Sequence, residues 1–201
     1  MTGSARGSLR TSRESVTPNE SVDIRTRTHG CGVLREAHDG DHVRGHFKNV
    51  HGTLEFDPGS PAVSRGEAVI DTRGLWSGEP DRDAHLKSPD FLDVGRFPEI
   101  TFRGSQVRFR GPTEAVVIGD LTIRGITRPI ELQVQYLGQW KTPWWEDGMD
   151  KGPKTRAGFL ATTQFNRHDF GVSWNNALDQ GGFVVGDDVA VTIDAEAILE
   201  P

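Results

Sequence analysis

Apolar and polar residues alternate along most of this chain. In IELQVQYL, Ile130, Leu132, Val134 and Tyr136 fall on one side, and Glu131, Gln133 and Gln135 on the other. A period of two sends successive side chains to opposite faces of a strand, so one face is buried and the other is wet, as in an antiparallel sheet. The same rule sets Val117, Gly119, Leu121 and Ile123 inward in VVIGDLTIRG. It sets Ala157, Phe159, Ala161, Thr163 and Phe165 inward in AGFLATTQFN, and Val189, Val191, Ile193, Ala195 and Ala197 in GDDVAVTIDAEAIL. Further strands are predicted at Val22–Thr28, Val43–Lys48, Thr53–Asp57, Ala62–Ile70 and Glu99–Phe109. Many short strands between Gly and Pro turns predict an all-β barrel or sandwich.

One stretch breaks the alternation, DRDAHLKSPDFLDVGRFPEITF from Asp81 to Phe102. It predicts short helical segments near residues 81–94, capped by Asp81 or Asp83, interrupted at Pro89 and stopped by Gly95 and Pro98. Arg82, Asp83 and His85 then lie where the chain leaves a strand and crosses one end of the sheet, with Phe91 and Phe97 closing that end. Such a cluster suits a proton-transfer site, a hydrogen-bonded plug, or the polar lip of an apolar pocket. A second cluster, Arg167, His168 and Asp169, precedes Phe170 and Gly171. The structural reading is favoured: Arg82 and Asp83 pair with Asp169 and Arg167 across the barrel end. His85 and Arg167 are the expected head-group contacts.

Side-chain size adds a cavity. Gly119, Ala161, Thr163, Ala195 and Ala197 recur on the inward faces, with Gly66 and Ala68 as further candidates. An eight-stranded barrel is just wide enough to be filled by its own side chains, so small ones leave space along the axis. The competing use of small residues is to admit tight coiling or a large neighbour such as Trp76 or Trp174. The lining is expected to come from Phe102, Leu121, Ile123, Phe159, Phe165, Trp174 and Ile193.

Composition removes several classes. A formal net charge of −6 with scattered Lys and Arg argues against nucleic acid. The single cysteine, Cys31, excludes an intrachain disulfide and a cysteine-based zinc cage. His38, His42 and His46 are spaced four apart, but on a strand His42 and His46 stand ~13 Å apart, too far for one ion. No metal, cofactor or catalytic residue is assigned. Residues 1–20 read as a flexible polar arm without a signal-peptide core, followed by one domain over 21–201. No apolar run is long enough for a membrane span, and a cytoplasmic location is expected. Trp140, Trp144 and Trp145 crowd a Pro- and Gly-interrupted loop and must pack on something, a homodimer partner or a neighbouring strand ahead of a lid.

RDAHLKSPDFLDVGRFPEITF, IGDLTIRGITRPIELQV, FNRHDFGVSW and VGDDVAVTIDAEAIL, in that order, resemble the YceI-like family over about residues 21–199. Arg82, Asp83, His85 and Leu86 match one motif, and Arg167, Asp169, Phe170 and Gly171 another. The segment Cys31–Asp41 and the tryptophan loop stand outside the shared pattern. The resemblance implies a lipocalin-like antiparallel barrel that carries, stores or transports a polyisoprenoid, an isoprenoid quinone or a fatty-acyl chain in its lumen. Two other readings stay open. One is an enzyme that converts a hydrophobic substrate with Asp83, His85 or Asp169; the other is a filled barrel serving as a structural module.

Overall fold

The computed structural model describes residues 20–24, 30–35, 42–56, 65–177 and 184–199. Apart from Glu20, the predicted arm lies outside them, as does His38. The chain runs β1 (Glu20–Ile24), β2 (Gly30–Arg35), β3 (His42–Phe47), β4 (Val50–Phe56), β5 (Arg65–Asp71) and β6 (Leu75–Trp76). A single α-helix among the described residues, α1 (Pro80–Lys87), precedes β7 (Glu99–Phe109), β8 (Glu114–Ile123), β9 (Ile126–Glu146), β10 (Met149–Asn166) and β11 (Asp188–Leu199). The strands form one antiparallel sheet ordered β1-β4-β5-β7-β8-β9-β10-β11-β2-β3-β6, and β1 also pairs with β11. That last pairing turns the sheet back on itself, so β1, β4, β5 and β7 to β11 make a closed ring. Closure is how an antiparallel sheet removes its edges.

β11 pairs with β2 through Val189 to Thr192 and with β1 through Ile198 and Leu199. β3 pairs with β2, and β4 with β1. The expected strand at Glu99–Phe109 matches β7 end for end, while β2 and β6 fall where no strand was expected. The expected tryptophan loop is instead strand, since β9 and β10 extend past the barrel as a hairpin. Its tip is Asp147 and Gly148, with φ of 51° and 75°. Two successive positive φ values are what a tight two-residue hairpin turn needs, and Asp-Gly supplies them cheaply. Arg124 and Gly125 make the same kind of turn between β8 and β9.

The helix starts at Pro80, one residue before the expected stretch. Pro80 opens it with its missing N–H where none is needed, and Glu79 rather than Asp81 or Asp83 occupies the cap position. Two buried clusters sit at one end of the barrel. Ile100, Leu121 and Ile123 surround Phe170, which is 1% exposed. Leu86 of α1, Leu75, Phe91 and Val172 form a second cluster outside it.

Candidate functional site

The closed end explains most of the conspicuous residues. Asn166 accepts a hydrogen bond from the His168 amide at 2.9 Å and starts a 3₁₀ turn, Arg167–Phe170, that ends on Gly171 at φ 70°. This turn carries Phe170 inward, edge-on to Phe165 with ring centroids 5.1 Å apart. Arg167 is buried, and its guanidinium donates to the carbonyls of Gly186 (2.8 Å), Val172 (2.9 Å), Trp174 (2.9 Å) and Val185 (3.4 Å). Burial lowers its pKa, and the Asp187 carboxylate at 3.6 Å works against that shift. With its fork spent on backbone carbonyls, Arg167 fastens the segment after the turn. Four of its five N–H donors go to those carbonyls, which leaves one, on the nitrogen beside Asp187, for the expected head-group contact.

The first cluster closes on itself. Asp83 accepts from the Ser77 amide (2.7 Å) and hydroxyl (2.5 Å), and Arg82 donates to the same hydroxyl at 3.0 Å. Burial acts to raise the Asp83 pKa, but the two Ser77 bonds, with Lys87 and Arg82, prevail and hold it below its ordinary value. Arg82 and Asp83 therefore do not pair with Asp169 and Arg167. Their partners lie within six residues, a local knot that ties α1 to the strand before it. His85 pairs with Asp90 at 3.1 Å and meets the rings of Trp174 (4.5 Å) and Phe91 (5.0 Å) edge-on. Trp174 and Phe91 thus belong to the closure. Phe97 lies under the Arg96 guanidinium, against the turn at Gly125.

Arg124 was missed from the sequence. Its guanidinium donates to the carbonyls of Phe91 (2.7 Å) and Gly171 (3.3 Å), stitching the loop after α1 to the 3₁₀ turn. The signal available was the Arg-Gly turn itself, which fixes the side chain at the barrel's rim.

Beyond this plug the inner wall changes character. The register carries one face through Leu121, Val117, Leu132, Val134, Ala161 and Ile193. On it, Phe102, Val134, Tyr136, Phe159, Val191 and Ile193 face inward yet stay only half-buried. Phe102 lies over Gly119, where a Cβ would stand 2.6 Å from its ring. Phe159 meets Tyr136 at 5.6 Å. Further from the plug the inner side chains shrink to Ala157, Ala195 and Ala197. Eight residues from Phe165 to Ala157, at ~3.3 Å each and a tilt of ~40°, span roughly 20 Å of barrel axis. Of the expected lining, Leu121 and Ile123 are sealed in the plug, Phe102 and Phe165 pack against it, and Phe159 and Ile193 stand further along the same face.

A lateral cleft adds a wet feature. The β9–β10 ladder stops at Gln133 and Thr162, although both strands stay paired on their other sides. Pro129, which has no N–H for a ladder, stands on one lip. Between the parted strands lies a cavity of about 740 Å³ lined by Arg128, Ile130, Gln133, Gln164, Asp169 and Phe170 among others. Among the described residues, no group of His, Cys, Asp and Glu is arranged to hold a metal ion, and no helix is long and apolar enough to cross a membrane.

Known proteins match this architecture. The Burkholderia cenocepacia protein BcnA superposes with a TM-score of 0.67 at 20% identity, over 84% of this chain and 95% of its own. A polyisoprenoid binding domain from Saccharophagus degradans, implicated in plant cell wall breakdown, superposes at 0.59 and 12% identity, over 92% of this chain and all of the domain. At such identities the likeness shows the fold. In sequence, a UPF0312 protein of Pseudomonas putida strain W619 is 37% identical over 138 residues, 69% of this chain and 68% of that protein. The YceI-like domain profile matches residues 21–197, and the chain belongs to that family.

Proposed function

We propose that the barrel holds the apolar chain of an amphipathic lipid, a polyisoprenoid first, with its tail along the axis beyond the Phe170 plug. The observation behind this reading is the contrast along one inner face. Phe170, Leu121 and Ile123 are sealed, while beyond them Phe159, Ile193 and Tyr136 keep accessible surface although the register turns them inward, between the buried Ala157, Ala161 and Ala197. Apolar surface left wet inside a barrel is a standing free energy of ~25 cal/mol per Å² that a hydrocarbon chain releases on entry. The fold shared with a polyisoprenoid binding domain supports the same ligand class. In the catalytic reading Asp83, His85 or Asp169 moves a proton, yet Asp83 is held by Ser77, His85 by Asp90, and Asp169 borders the outer cleft.

Binding of a fluorescent prenyl alcohol to wild type and Ala195→Phe tests the proposal. Ala195 faces Phe159 across the ladder, so a phenyl ring there would occupy the lumen. Saturable binding by wild type, weakened at least about tenfold in the variant, fits a loss of ~1.4 kcal/mol or more. Equal binding by both proteins would place the ligand elsewhere.

A further inference from the structure

The closed ring of strands has a gap in its wall. β9 stays on β8 from Ile126 to Gln135, and β10 stays on β11 as far as Asn166, yet the two part beyond Gln133 and Thr162 on the side of the plug. A strand without a neighbour shows unpaired N–H and C=O groups, which closure otherwise removes from a barrel. The cavity of about 740 Å³ seated in this gap falls within the ~300–1,000 Å³ of small-molecule sites.

Its lining draws on both faces of the wall. Thr163, Phe165 and Val191 belong to the inner face and follow directly on Ala161 and Ile193, whereas Thr162, Gln164 and Ala190 belong to the outer one. β10 and β11 remain paired here, so the way from one face to the other runs round the free edge of β10. The gap is a window between lumen and outside, with apolar residues on its inner rim and polar ones on its outer rim.

The groups on the outer rim select what fits. Gln133 and Gln164 bring amides, and the carboxylates of Glu131 and Asp169 stand against one guanidinium, that of Arg128. Of the neighbouring charges, Asp188 accepts from Gln164 at 3.1 Å and His168 is paired with Asp187 at 2.8 Å. Arg124 is turned to the carbonyls of Phe91 and Gly171. The rim is rich in acceptors and carries more negative than positive charge. A hydroxyl that donates finds partners there, while a phosphate or carboxylate meets like charge.

We propose that this window seats the polar head of the lipid, an uncharged hydroxyl-bearing head such as that of a prenyl alcohol, with the tail entering the lumen past Phe165 and Val191. The proposal deepens the lipid-carrier reading and rests on it. The lumen accounts for the tail; the window assigns the head its chemical class and the end of the barrel at which it lies.

Geranylgeraniol and geranylgeranyl diphosphate share a tail and differ in the head, so their affinities, measured by calorimetric titration of the purified protein, test the assignment. Wild type should bind the alcohol at least about tenfold more tightly than the diphosphate. Glu131→Lys, at an exposed position on the rim, should tighten the diphosphate about tenfold and leave the alcohol unchanged. Glu114→Lys, the same charge change at the far end of β8, should alter neither. Position is read by maleimide labelling of Gln164→Cys in a Cys31→Ser background. Gln164 is exposed on the outer face, where a ligand held wholly inside the lumen would leave it open. With the alcohol at ten times its Kd, labelling there should slow about tenfold, and labelling of Ser105→Cys on β7 should not. Full-rate labelling of Gln164→Cys saturated with the alcohol would overturn the window and leave the carrier reading standing. Equal wild-type affinity for alcohol and diphosphate would overturn the assigned head. A wild type that binds neither refutes the carrier reading and the window with it.

Discussion

Phe170 and Phe159 face the same interior and should respond very differently to truncation. Phe170 is 1% exposed, packed on Ile100, Leu121 and Ile123, and edge-on to Phe165. Phe170→Ala removes a sealed ring and leaves a void, a loss of ~3–5 kcal/mol. For a chain of this length, at ~2–4 °C per kcal/mol, Tm falls by about 10 °C or more. Phe159 is half-buried, with Tyr136 as its ring neighbour. On the carrier reading its truncation opens no new cavity, because the space in front of it is kept for the lipid. The loss is then roughly half the transfer term of a buried phenyl ring, ~1 kcal/mol. Urea unfolding of delipidated protein measures both, since bound lipid would stabilise the native state and mask the difference. The m-value should hold steady while the midpoints separate. Equal losses for the two variants would show that the lumen is packed along its whole length and would refute the cavity.

Three further outcomes follow from the closed end. Arg167→Lys keeps the charge but not the fork that reaches the carbonyls of Gly186, Val172 and Trp174, so it should destabilise by ~2–4 kcal/mol in the same unfolding assay. Gly119→Ala would put a Cβ 2.4 Å from the Arg103 carbonyl and 2.8 Å from the Gly104 Cα, so the β7–β8 ladder must shift, and a lowered Tm of several degrees is expected. Asp83 carries a pH signature. Folding holds its pKa below the ordinary 3.8, so the unfolded chain takes up the proton first and the contribution is present in full above that range. It fades as pH falls through the lowered folded value; the stability gap between wild type and Asp83→Asn should therefore close on acidification, and a gap that widened would contradict the Ser77 pairing.

The sequence made the strands legible because most keep one wet face, and alternation survives wherever that holds, as in β9 from Ile130 to Tyr136. It concealed β2, whose Gly30 and Gly32 leave little alternation to read, the two-residue β6, and α1's start, where Pro80 rather than a capping Asp set the boundary. The hairpin extension was legible in the Asp147-Gly148 pair, but Trp140, Trp144 and Trp145, interrupted by Pro143 and Gly148, read as a loop. Arg167 shows the limit of reading chemistry from residue type. A guanidinium near an apolar pocket suits a head group, yet its partners are carbonyls up to 19 residues away, a relation only the folded chain reveals. Phe170 was hidden similarly: its role depends on the 3₁₀ turn that aims it between β8 and β10.

The central claim is that the space beyond Phe170 holds a long apolar chain. Mass spectrometry of an organic extract of natively purified protein, beside a denatured and washed aliquot, tests it most directly. The account predicts a stoichiometric prenyl or other long-chain species in the native extract and its loss from the washed control. An empty extract, together with a clean apo mass in native spectrometry and no uptake of added prenyl alcohol, would contradict it.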